Sequence, residues 1–185
     1  MIRWSLRHAA TTLKKGGVIA YPTEAVYGLG CHPLDEAALS RLLHLKQRDP
    51  AKGLILISDS LSRLEPFLQP LSQTERNKIL KNTSKPTTWI IPSQNWIPAL
   101  LTGSHTSLAV RVTDHPVASA ICKLAGMPIV STSANISDHH PARTPIQIHQ
   151  QFGNQLDAVI TGKINFQAKP STIRDLKTGK ILRSS

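Results

Sequence analysis

Residues 54–57 of this 185-residue chain, with the sequence LILI, place a strong constraint on its fold. A strand that is apolar at every position has both faces covered, as the central strands of helix-covered sheets do. Short apolar runs at 18–22, 87–92, 107–112 and the start of 128–135 are also typical of strands. Helical periodicity appears between several of these runs. The sequence therefore predicts an α/β fold with an open, twisted, mixed sheet and helices packed around it.

The helices are predicted from apolar spacing and from capping residues. Asp35 and Asp114 are expected to cap two helices, Pro116 suits a first turn, and Gly126 is expected to end the second helix. The predicted helices cover 3–15, 35–47, one or two segments of 59–82 broken at Pro66 and Pro70, 114–124 and, weakly, 145–151. The remaining predicted strands cover 157–161, 171–176 and 180–183, and 23–30 is predicted to be a loop.

The chain length fits one domain, and no low-complexity linker or internal repeat divides it, so residues 1–185 are expected to form a single domain. Cys31 and Cys122 are far apart and form no CxxC pair, which argues against a zinc site or a disulfide framework. No apolar run has the length of a membrane span or a signal-peptide core. We therefore expect a cytoplasmic protein without a membrane partner.

Positive charge is in excess along the chain. The sequence has 22 Lys and Arg residues against 11 Asp and Glu, which gives a formal net charge of +11 with histidine neutral. Such an excess favours polyanionic ligands, namely nucleic acid, nucleotides or other phosphate-bearing molecules. The other interpretation is charge that serves solubility alone.

Three cations cluster in the segment LKQRDPAKGLILI, where a predicted helix leads into the LILI strand. Lys46 and Arg48 lie near the helix end, where positive side chains complement the helix dipole and its free carbonyls. Lys52 follows Pro50 and is not explained in this way. The functional alternative is a phosphate clamp, in which arginine forks and lysine ammonium groups bind several phosphate oxygens. The local sequence favours neither interpretation over the other.

The segment VSTSAN places hydroxyl and amide side chains directly after an apolar strand. Alternate residues of an extended segment point the same way, so Ser131, Ser133 and Asn135 could face one cavity and bind a polar ligand. The structural alternative is a turn stabilised by serine and threonine hydroxyls, which is common where a strand ends.

The segment YPTEAVYGLG and an arginine in a later apolar strand are further candidates. Gly28 and Gly30 permit close approach, although the chain contains no P-loop and no GxGxxG. Glu24 could help to hold a metal, orient a base or form a structural ion pair. Arg111 needs either a protein carboxylate such as Asp114 or the carboxylate of a small substrate.

The chain has no GxSxG nucleophile elbow and no evident pair of catalytic acids. His139 and His140 are adjacent but lack further ligands at tetrahedral spacing, so we expect an exposed loop there, with metal binding as the lesser alternative.

Four segments, YPTEAVYGLG, KQRDPAKGLILI, SLAVRVTDHP and VSTSAN, occur in the order and approximate spacing of the YrdC/Sua5 family of threonylcarbamoyl-AMP synthases. The chain resembles this family from about residue 8 to residue 183, and it resembles the short bacterial TsaC (RimN) branch in lacking a second domain. The resemblance implies a YrdC-like fold with a large, positively charged concave cavity.

The resemblance also implies an L-threonylcarbamoyladenylate synthase, a nucleotidyltransferase. Such an enzyme condenses L-threonine, bicarbonate (or CO₂) and ATP to threonylcarbamoyl-AMP and pyrophosphate, for t⁶A formation at position 37 of tRNAs that read ANN codons. Alignment of anionic reactants by clustered cations would need no covalent nucleophile.

Residue roles follow from the same resemblance. Lys46 and Arg48 match the KxR motif and would be catalytic. The implied ATP-binding residues are Lys46, Arg48, Lys52, Ser133, Asn135 and Arg183. The implied threonine-binding residues are Thr23, Arg111, Ser131 and Ser171, and Arg111 would take the threonine carboxylate. Mg²⁺ is expected to accompany ATP, with no protein ligands assigned to it.

Two further expectations concern partners. Proteins that transfer the product to tRNA are implied by the resemblance, and weak, salt-sensitive binding of tRNA or double-stranded RNA would be compatible with the enzyme. The alternative from another class is a non-enzymatic RNA-binding factor in ribosome maturation, which the net charge favours. Aromatic residues make up only 4% of the chain, which leaves few side chains for stacking on bases.

One segment departs from the family pattern. Many relatives carry Pro-Gly-Pro-x-Thr before the strand at 87–92, whereas this chain has SKPTT at 84–88. Lys85 adds a charge where glycine would give conformational freedom, so an altered nucleotide affinity is expected if this loop contacts the nucleotide.

Overall fold

The computed structural model describes residues 2–81 and 86–184, with side chains described from Trp4 onward. Within this part, nine strands form one sheet in the order β7-β1-β2-β6-β3-β5-β4-β8-β9. The strands are β1 (Ile19–Pro22), β2 (Tyr27–Gly30), β3 (Ile55–Ser58), β4 (Thr87–Pro92), β5 (Ser107–Val112), β6 (Ile129–Ser133), β7 (Ala158–Val159), β8 (Thr172–Asp175) and β9 (Ile181–Arg183). The helices are α1 (Ile2–Lys14), α2 (Glu36–Lys46), α3 (Leu61–Leu64), α4 (Gln73–Leu80), α5 (Ala99–Thr102), α6 (Pro116–Ala125) and α7 (Pro145–Phe152), with 3₁₀ turns at Pro50–Lys52 and Glu65–Phe67.

The sheet is mixed and open, as predicted. At its centre, β3 pairs parallel with β5 and antiparallel with β6. Among the outer pairs, β1–β7 and β4–β8 are parallel, and the other neighbours are antiparallel. The prediction of a single-domain α/β fold with a mixed sheet is therefore confirmed.

The LILI run is buried on both faces, because successive strand residues point to opposite sides of the sheet. Leu56 packs in one core with Leu39 of α2 and Val110 of β5. Ile57 packs in a second core with Leu13 of α1 and Ile121 of α6. This pattern confirms that the run forms a central strand, which starts at Ile55 and ends at Ser58.

Capping residues set the helix starts, with one correction. The Asp35 side chain accepts a hydrogen bond of 3.0 Å from the Ala38 amide and begins α2, as predicted. The cap of α6 is His115 and not Asp114, because Pro116 occupies the first helical position and the preceding residue is then the cap. Gly126 ends α6 in the left-handed conformation, as predicted.

The segment 23–30 is the main error in the predicted elements. We expected a loop throughout, but β2 lies within it and is bonded on both sides, to β1 and to β6. Glycine-rich segments are usually loops; here Gly30 serves a strand because a neighbouring side chain needs its space, as described below.

The remaining helical predictions largely agree with the structure. Two short helices, α3 and α4, occupy the segment 59–82, with Pro66 in the turn after α3 and Pro70 in the connection to α4. The helix α5 was not predicted. Of the unusual segment 84–88, Ser84 and Lys85 lie outside the described residues, and β4 begins at Thr87. In the part of the chain that is described, no helix is long and apolar enough to cross a membrane.

Candidate active site

Two predicted site residues lie on the same face of the central strands. Ser131 of β6 is paired with Ile55 of β3, and Ile55 is paired in turn with Ala109 of β5. Arg111 follows Ala109 by two residues, so it projects from the same side of β5. Strands β6, β3 and β5 thus present Ser131 and Arg111 on one face of the sheet.

Lys46 is buried, with only 2% of its surface exposed, and it joins α2 to the loop after β6. Its Nζ donates to the backbone carbonyls of Ser133 and Asn135, the latter at 2.8 Å, and its own carbonyl accepts from the Ser137 amide at 2.7 Å. The ammonium therefore bonds carbonyls of another segment and not those of its own helix. Burial, together with the charge of Arg48, lowers the pKa of Lys46 to about 7.

In VSTSAN, the side chains of Ser133 and Asn135 form hydrogen bonds within their own loop. Ser133 Oγ donates to Asn135 Oδ1 at 2.6 Å. Asn135 Nδ2 donates to the carbonyls of Ile136 and His139 at 2.8 and 3.1 Å. This geometry is that of the turn considered as the structural alternative. Ligand binding by Ser133 and Asn135 stays a prediction, and it would require these bonds to be shared or exchanged.

A cavity of about 260 Å³ lies over the sheet, and cations surround it. Arg48, Lys52, His105 and Arg183 line it together with apolar residues that include Ile55, and no described lining residue is acidic. Clefts lined by one sign of charge concentrate counter-ions. The structure thus brings three predicted ATP-binding residues to one site with the properties of an anion pocket.

The guanidinium groups of Arg48 and Arg183 in this cavity are only partly hydrogen-bonded within the described structure. Arg48 donates from Nη2 to the Gly53 carbonyl at 3.1 Å, while its buried Nε has no partner in the described structure. Arg183 donates from Nη2 to the Ser171 carbonyl at 2.9 Å. Burial lowers the pKa of both guanidinium groups, which remain cationic because an arginine pKa starts near 12.5.

His105 was missed by the sequence prediction. The turn that carries it follows Gly103, whose φ of +67° and close approach to the backbone at Ala51 admit no side chain. Ser104 donates its amide to the Ala51 carbonyl at 3.0 Å, which brings the turn beside Lys52. A glycine two residues before a histidine, just ahead of a strand, is the only sequence signal for this placement.

Arg111 and Glu24 form an ion pair. Arg111 Nη2 lies 2.8 Å from both carboxylate oxygens of Glu24 and 3.3 Å from Thr113 Oγ1. The sequence left the structural partner of Arg111 open between Asp114 and another acid. That acid is Glu24, which the loop before β2 brings within 2.8 Å. Arg111 Nε is buried and has no partner among the described residues.

Thr23 and Ser171 are held by structural hydrogen bonds. Thr23 Oγ1 donates to the Val26 carbonyl at 2.7 Å, next to the Glu24 that pairs with Arg111. Ser171 Oγ lies 2.8 Å from Thr88 Oγ1, and both side chains are buried. Ser171 thus supports Arg183 through its carbonyl, and its proposed contact with threonine stays a prediction.

A tyrosine that the sequence did not single out contacts the site. Tyr21 of β1 is fully buried, and its hydroxyl donates to Ser131 Oγ at 2.7 Å. The pair spans 110 residues of sequence, so no local pattern could indicate it.

No cluster of three or more potential metal ligands occurs among the described residues. His139 and His140 are exposed in the loop before α7, where we predicted them to lie.

A helix-covered mixed sheet with a cavity lined by Arg48, Lys52 and Arg183 defines an α/β protein with a candidate anion-binding site. The family model described as "Telomere recombination" (Sua5/YciO/YrdC) matches residues 11–185, and the chain belongs to this family. The resemblance derived from the four motifs is thereby confirmed.

Curated relatives match over nearly the whole chain. A threonylcarbamoyl-AMP synthase of Cellvibrio japonicus is 47% identical, with 100% of both chains covered. A protein of the same name from Thiobacillus denitrificans is 49% identical over 93% of this chain and 91% of its own length.

Solved structures show the same fold. P. abyssi Sua5 in complex with L-threonine is 30% identical and superposes with a TM-score of 0.89 over 97% of this chain, which spans 54% of that longer protein. E. coli YciO is 27% identical with a TM-score of 0.82, covering 99% of this chain and 89% of its own.

Proposed function

We propose that the protein is an L-threonylcarbamoyladenylate synthase, a nucleotidyltransferase that condenses L-threonine, bicarbonate or CO₂, and ATP. The observation that most strongly supports this proposal is that Arg48, Lys52 and Arg183 surround one cavity. The same face of the sheet also presents Arg111 and Ser131. Relatives that share 47% and 49% of their residues with the chain have this name, and one related structure contains L-threonine.

The proposed reaction starts with attack of the neutral threonine amine on the carbon of bicarbonate or CO₂, which gives a carbamate. Water leaves when bicarbonate reacts, and the nitrogen gives up a proton to solvent when CO₂ reacts. A carbamate oxygen then attacks the α-phosphorus of ATP. The bond between the α-phosphorus and the oxygen that bridges it to the β-phosphate breaks, and pyrophosphate leaves. Nearly all of the reacting groups are anionic. The protein's task is therefore to overcome their repulsion and to align the attack, which fixed cations in a partly dry cavity do well.

At the nucleotide end, we assign Arg48, Lys52 and Arg183 to the phosphates of ATP. Arg48 has an unpartnered Nε and is half-buried, so a phosphate oxygen would complete its hydrogen bonds and would be held in a weakly screened environment. Lys52 is exposed at the rim and can follow a leaving pyrophosphate.

Lys46 has a different place in this mechanism. Its ammonium fixes the backbone carbonyls of Ser133 and Asn135, so it shapes the loop whose side chains would meet the nucleotide. The positive charge is nonetheless available at short range to a phosphate that this loop binds.

At the threonine end, we assign the substrate carboxylate to Arg111, with Thr23, Ser131 and Ser171 as the other candidate contacts. Glu24 occupies only Nη2 of Arg111. The Nη1 donors can bind a second carboxylate, and the ion pair keeps Arg111 oriented while they do so.

Mg²⁺ is the cofactor expected with ATP. The described lining of the cavity offers cations and no carboxylate, and the nearby Glu24 is paired with Arg111. The described lining of the cavity thus offers no Mg²⁺ ligands of its own, and the ion would be carried by the phosphate oxygens of ATP.

We further propose a cytoplasmic location, delivery of the product to proteins that modify tRNA, and weak binding of RNA through the excess positive charge. The full-length similarity to named synthases favours this enzyme over the non-enzymatic ribosome-maturation factor. Filter binding of tRNA and double-stranded RNA across a salt series measures the RNA component.

The test of the function is pyrophosphate release from ATP, measured with each of L-threonine and bicarbonate present or absent. We expect release only when both are present, and L-serine and L-valine as substitutes measure the specificity for threonine. ATP turnover that is indifferent to threonine would show the proposal to be wrong.

A further inference from the structure

The buried tyrosine Tyr21 lies across strand β2 to reach the site. Tyr21 is paired with Gly28 in the β1–β2 register, so its ring leaves β1 on the side where β2 carries glycine. A Cβ atom at Gly28 would lie 3.4 Å from Tyr21 Cζ, and one at Gly30 would lie 3.0 Å from Tyr21 Cε1 and 2.8 Å from the Val130 carbonyl. Gly30 therefore leaves the space that the ring needs to reach Ser131, whereas a Cβ at Gly28 would be at ordinary contact distance from the ring.

The direction of the hydrogen bond follows from burial. Tyr21 has no exposed surface, and Ser131 is the only described residue that bonds its hydroxyl. If Ser131 donated instead, the phenol proton would be buried without an acceptor, which is unfavourable. Tyr21 thus donates, and burial also raises its pKa well above the usual range, so the phenol keeps its proton at all ordinary pH values.

This arrangement fixes the role left to Ser131. One of its acceptor positions is filled by Tyr21, and its own proton has no acceptor in the described part of the chain. A hydroxyl that accepts a hydrogen bond becomes a stronger donor. Ser131 is half-buried beside Ile55, which lines the cavity, so this proton is available to a ligand there.

We propose that Tyr21 is a positioning residue that sets the hydroxyl of Ser131 as a hydrogen-bond donor to an anionic oxygen of the amino-acid substrate, its carboxylate or the carbamate formed from its amine. This inference rests on the proposed synthase function. It assigns a task to Gly30 of YPTEAVYGLG as well, because a side chain at this position would press on the ring of Tyr21 and on the Val130 carbonyl.

The chain contains a matched control for this tyrosine. Tyr27 is also buried, but its hydroxyl bonds only backbone groups of Gly162, at 3.3 Å. The experiment compares wild type, Tyr21→Phe, Tyr27→Phe, Ser131→Ala and the double variant Tyr21→Phe/Ser131→Ala. For each protein, kcat, the KM for L-threonine, the KM for ATP and the thermal midpoint of unfolding are measured.

We expect Tyr21→Phe to raise the KM for threonine about three- to tenfold, the size of one hydrogen bond, with the KM for ATP unchanged. The double variant should be no worse than Ser131→Ala, because Tyr21 acts through Ser131. Tyr27→Phe should lower the unfolding midpoint without raising the KM for threonine.

The inference is overturned if Tyr21→Phe leaves the KM for threonine at the wild-type value, if it raises the KM for ATP instead, or if its effect adds in full to that of Ser131→Ala. An equal rise in Tyr27→Phe would also overturn it, since a general loss of rigidity would then be the cause. A wild-type protein that does not respond to threonine at all would overturn both this inference and the proposed function.

Discussion

Arg111 and Glu24, which are 87 residues apart in the sequence, form an ion pair in which one guanidinium nitrogen lies 2.8 Å from both carboxylate oxygens. The side chains are 11% and 21% exposed, so the pair is largely removed from water. It links the loop before β2 to the central strand β5. The pair thus holds the two segments that would meet the threonine carboxylate.

Breaking this pair is expected to destabilise the fold. Glu24→Gln leaves the charge of Arg111 buried without its partner and should lower the free energy of unfolding by about 3 kcal/mol. The matched control is Arg41→Ala, which removes the Arg41–Asp157 pair whose side chains are 41% and 37% exposed. That change should cost at most about 1 kcal/mol. Urea denaturation measures both, and equal losses would contradict the account.

The assignment of Arg48 to the phosphates predicts a large catalytic loss with little structural loss. Arg48→Ala removes one hydrogen bond to the Gly53 carbonyl and also a buried guanidinium nitrogen of the cavity that has no partner in the described structure. We expect kcat/KM for ATP to fall about a hundredfold or more, with the circular dichroism spectrum unchanged. Arg76→Ala, which loses a surface pair with Glu65, is the control. Wild-type activity in Arg48→Ala would remove this residue from the site.

His105 should contribute to nucleotide binding because it lines the same cavity as Arg48 and Lys52. His105→Ala is expected to raise the KM for ATP about fivefold, the size of one ordinary hydrogen bond, while the KM for threonine stays constant. His149→Ala, an exposed histidine on α7, should change neither constant. Steady-state kinetics measures both KM values. A KM for ATP that is unaffected by His105→Ala would exclude a contact between His105 and the nucleotide.

The lowered pKa of Lys46 predicts that the free energy of unfolding depends on pH. Its pKa is about 7 in the folded protein and 10.5 when unperturbed. Because folding lowers this pKa, the contribution of Lys46 to the free energy of unfolding is fully present above pH 10.5 and is lost as the pH falls towards 7. Lys46→Met should therefore flatten the rise in stability with pH across this window.

Chemical denaturation of Lys46→Met between pH 7 and pH 9.5 measures that slope, with wild type beside it. Lys123→Met, at an exposed position on α6, is the matched control and should leave the slope unchanged. Parallel profiles for wild type and Lys46→Met would mean that the ammonium is not desolvated in the way its burial indicates.

Local patterns were sufficient for much of the fold. The doubly apolar run at 54–57 identified a central strand because its burial depends only on its own residues, and Asp35 identified a helix start because the cap bonds three residues away. Strand β2 was missed because its glycine-rich sequence has little strand preference of its own, and the strand is formed by pairing with its neighbours β1 and β6. The cap of α6 was misplaced by one residue, because Asp114 is the better capping residue but Pro116 fixes the helix start.

The site was predictable in its composition and not in its contacts. The cluster of Lys46, Arg48 and Lys52 indicated anion binding, and the motifs added Ser131 and Arg111. The partners of these residues lie far away in the sequence: Ser133 is 87 residues from Lys46, and Tyr21 is 110 residues from Ser131. Such pairs depend on strand order, which side-chain chemistry along the chain does not encode locally.

The central claim is that this chain joins threonine, bicarbonate and ATP at one cavity. Mass spectrometry of the product formed from ATP, L-threonine and ¹³C-bicarbonate tests it most directly. The account predicts threonylcarbamoyl-AMP that carries the label in its carbamoyl carbon, formed together with pyrophosphate. Cleavage of ATP that gives AMP or ADP without a labelled threonine adduct would contradict it.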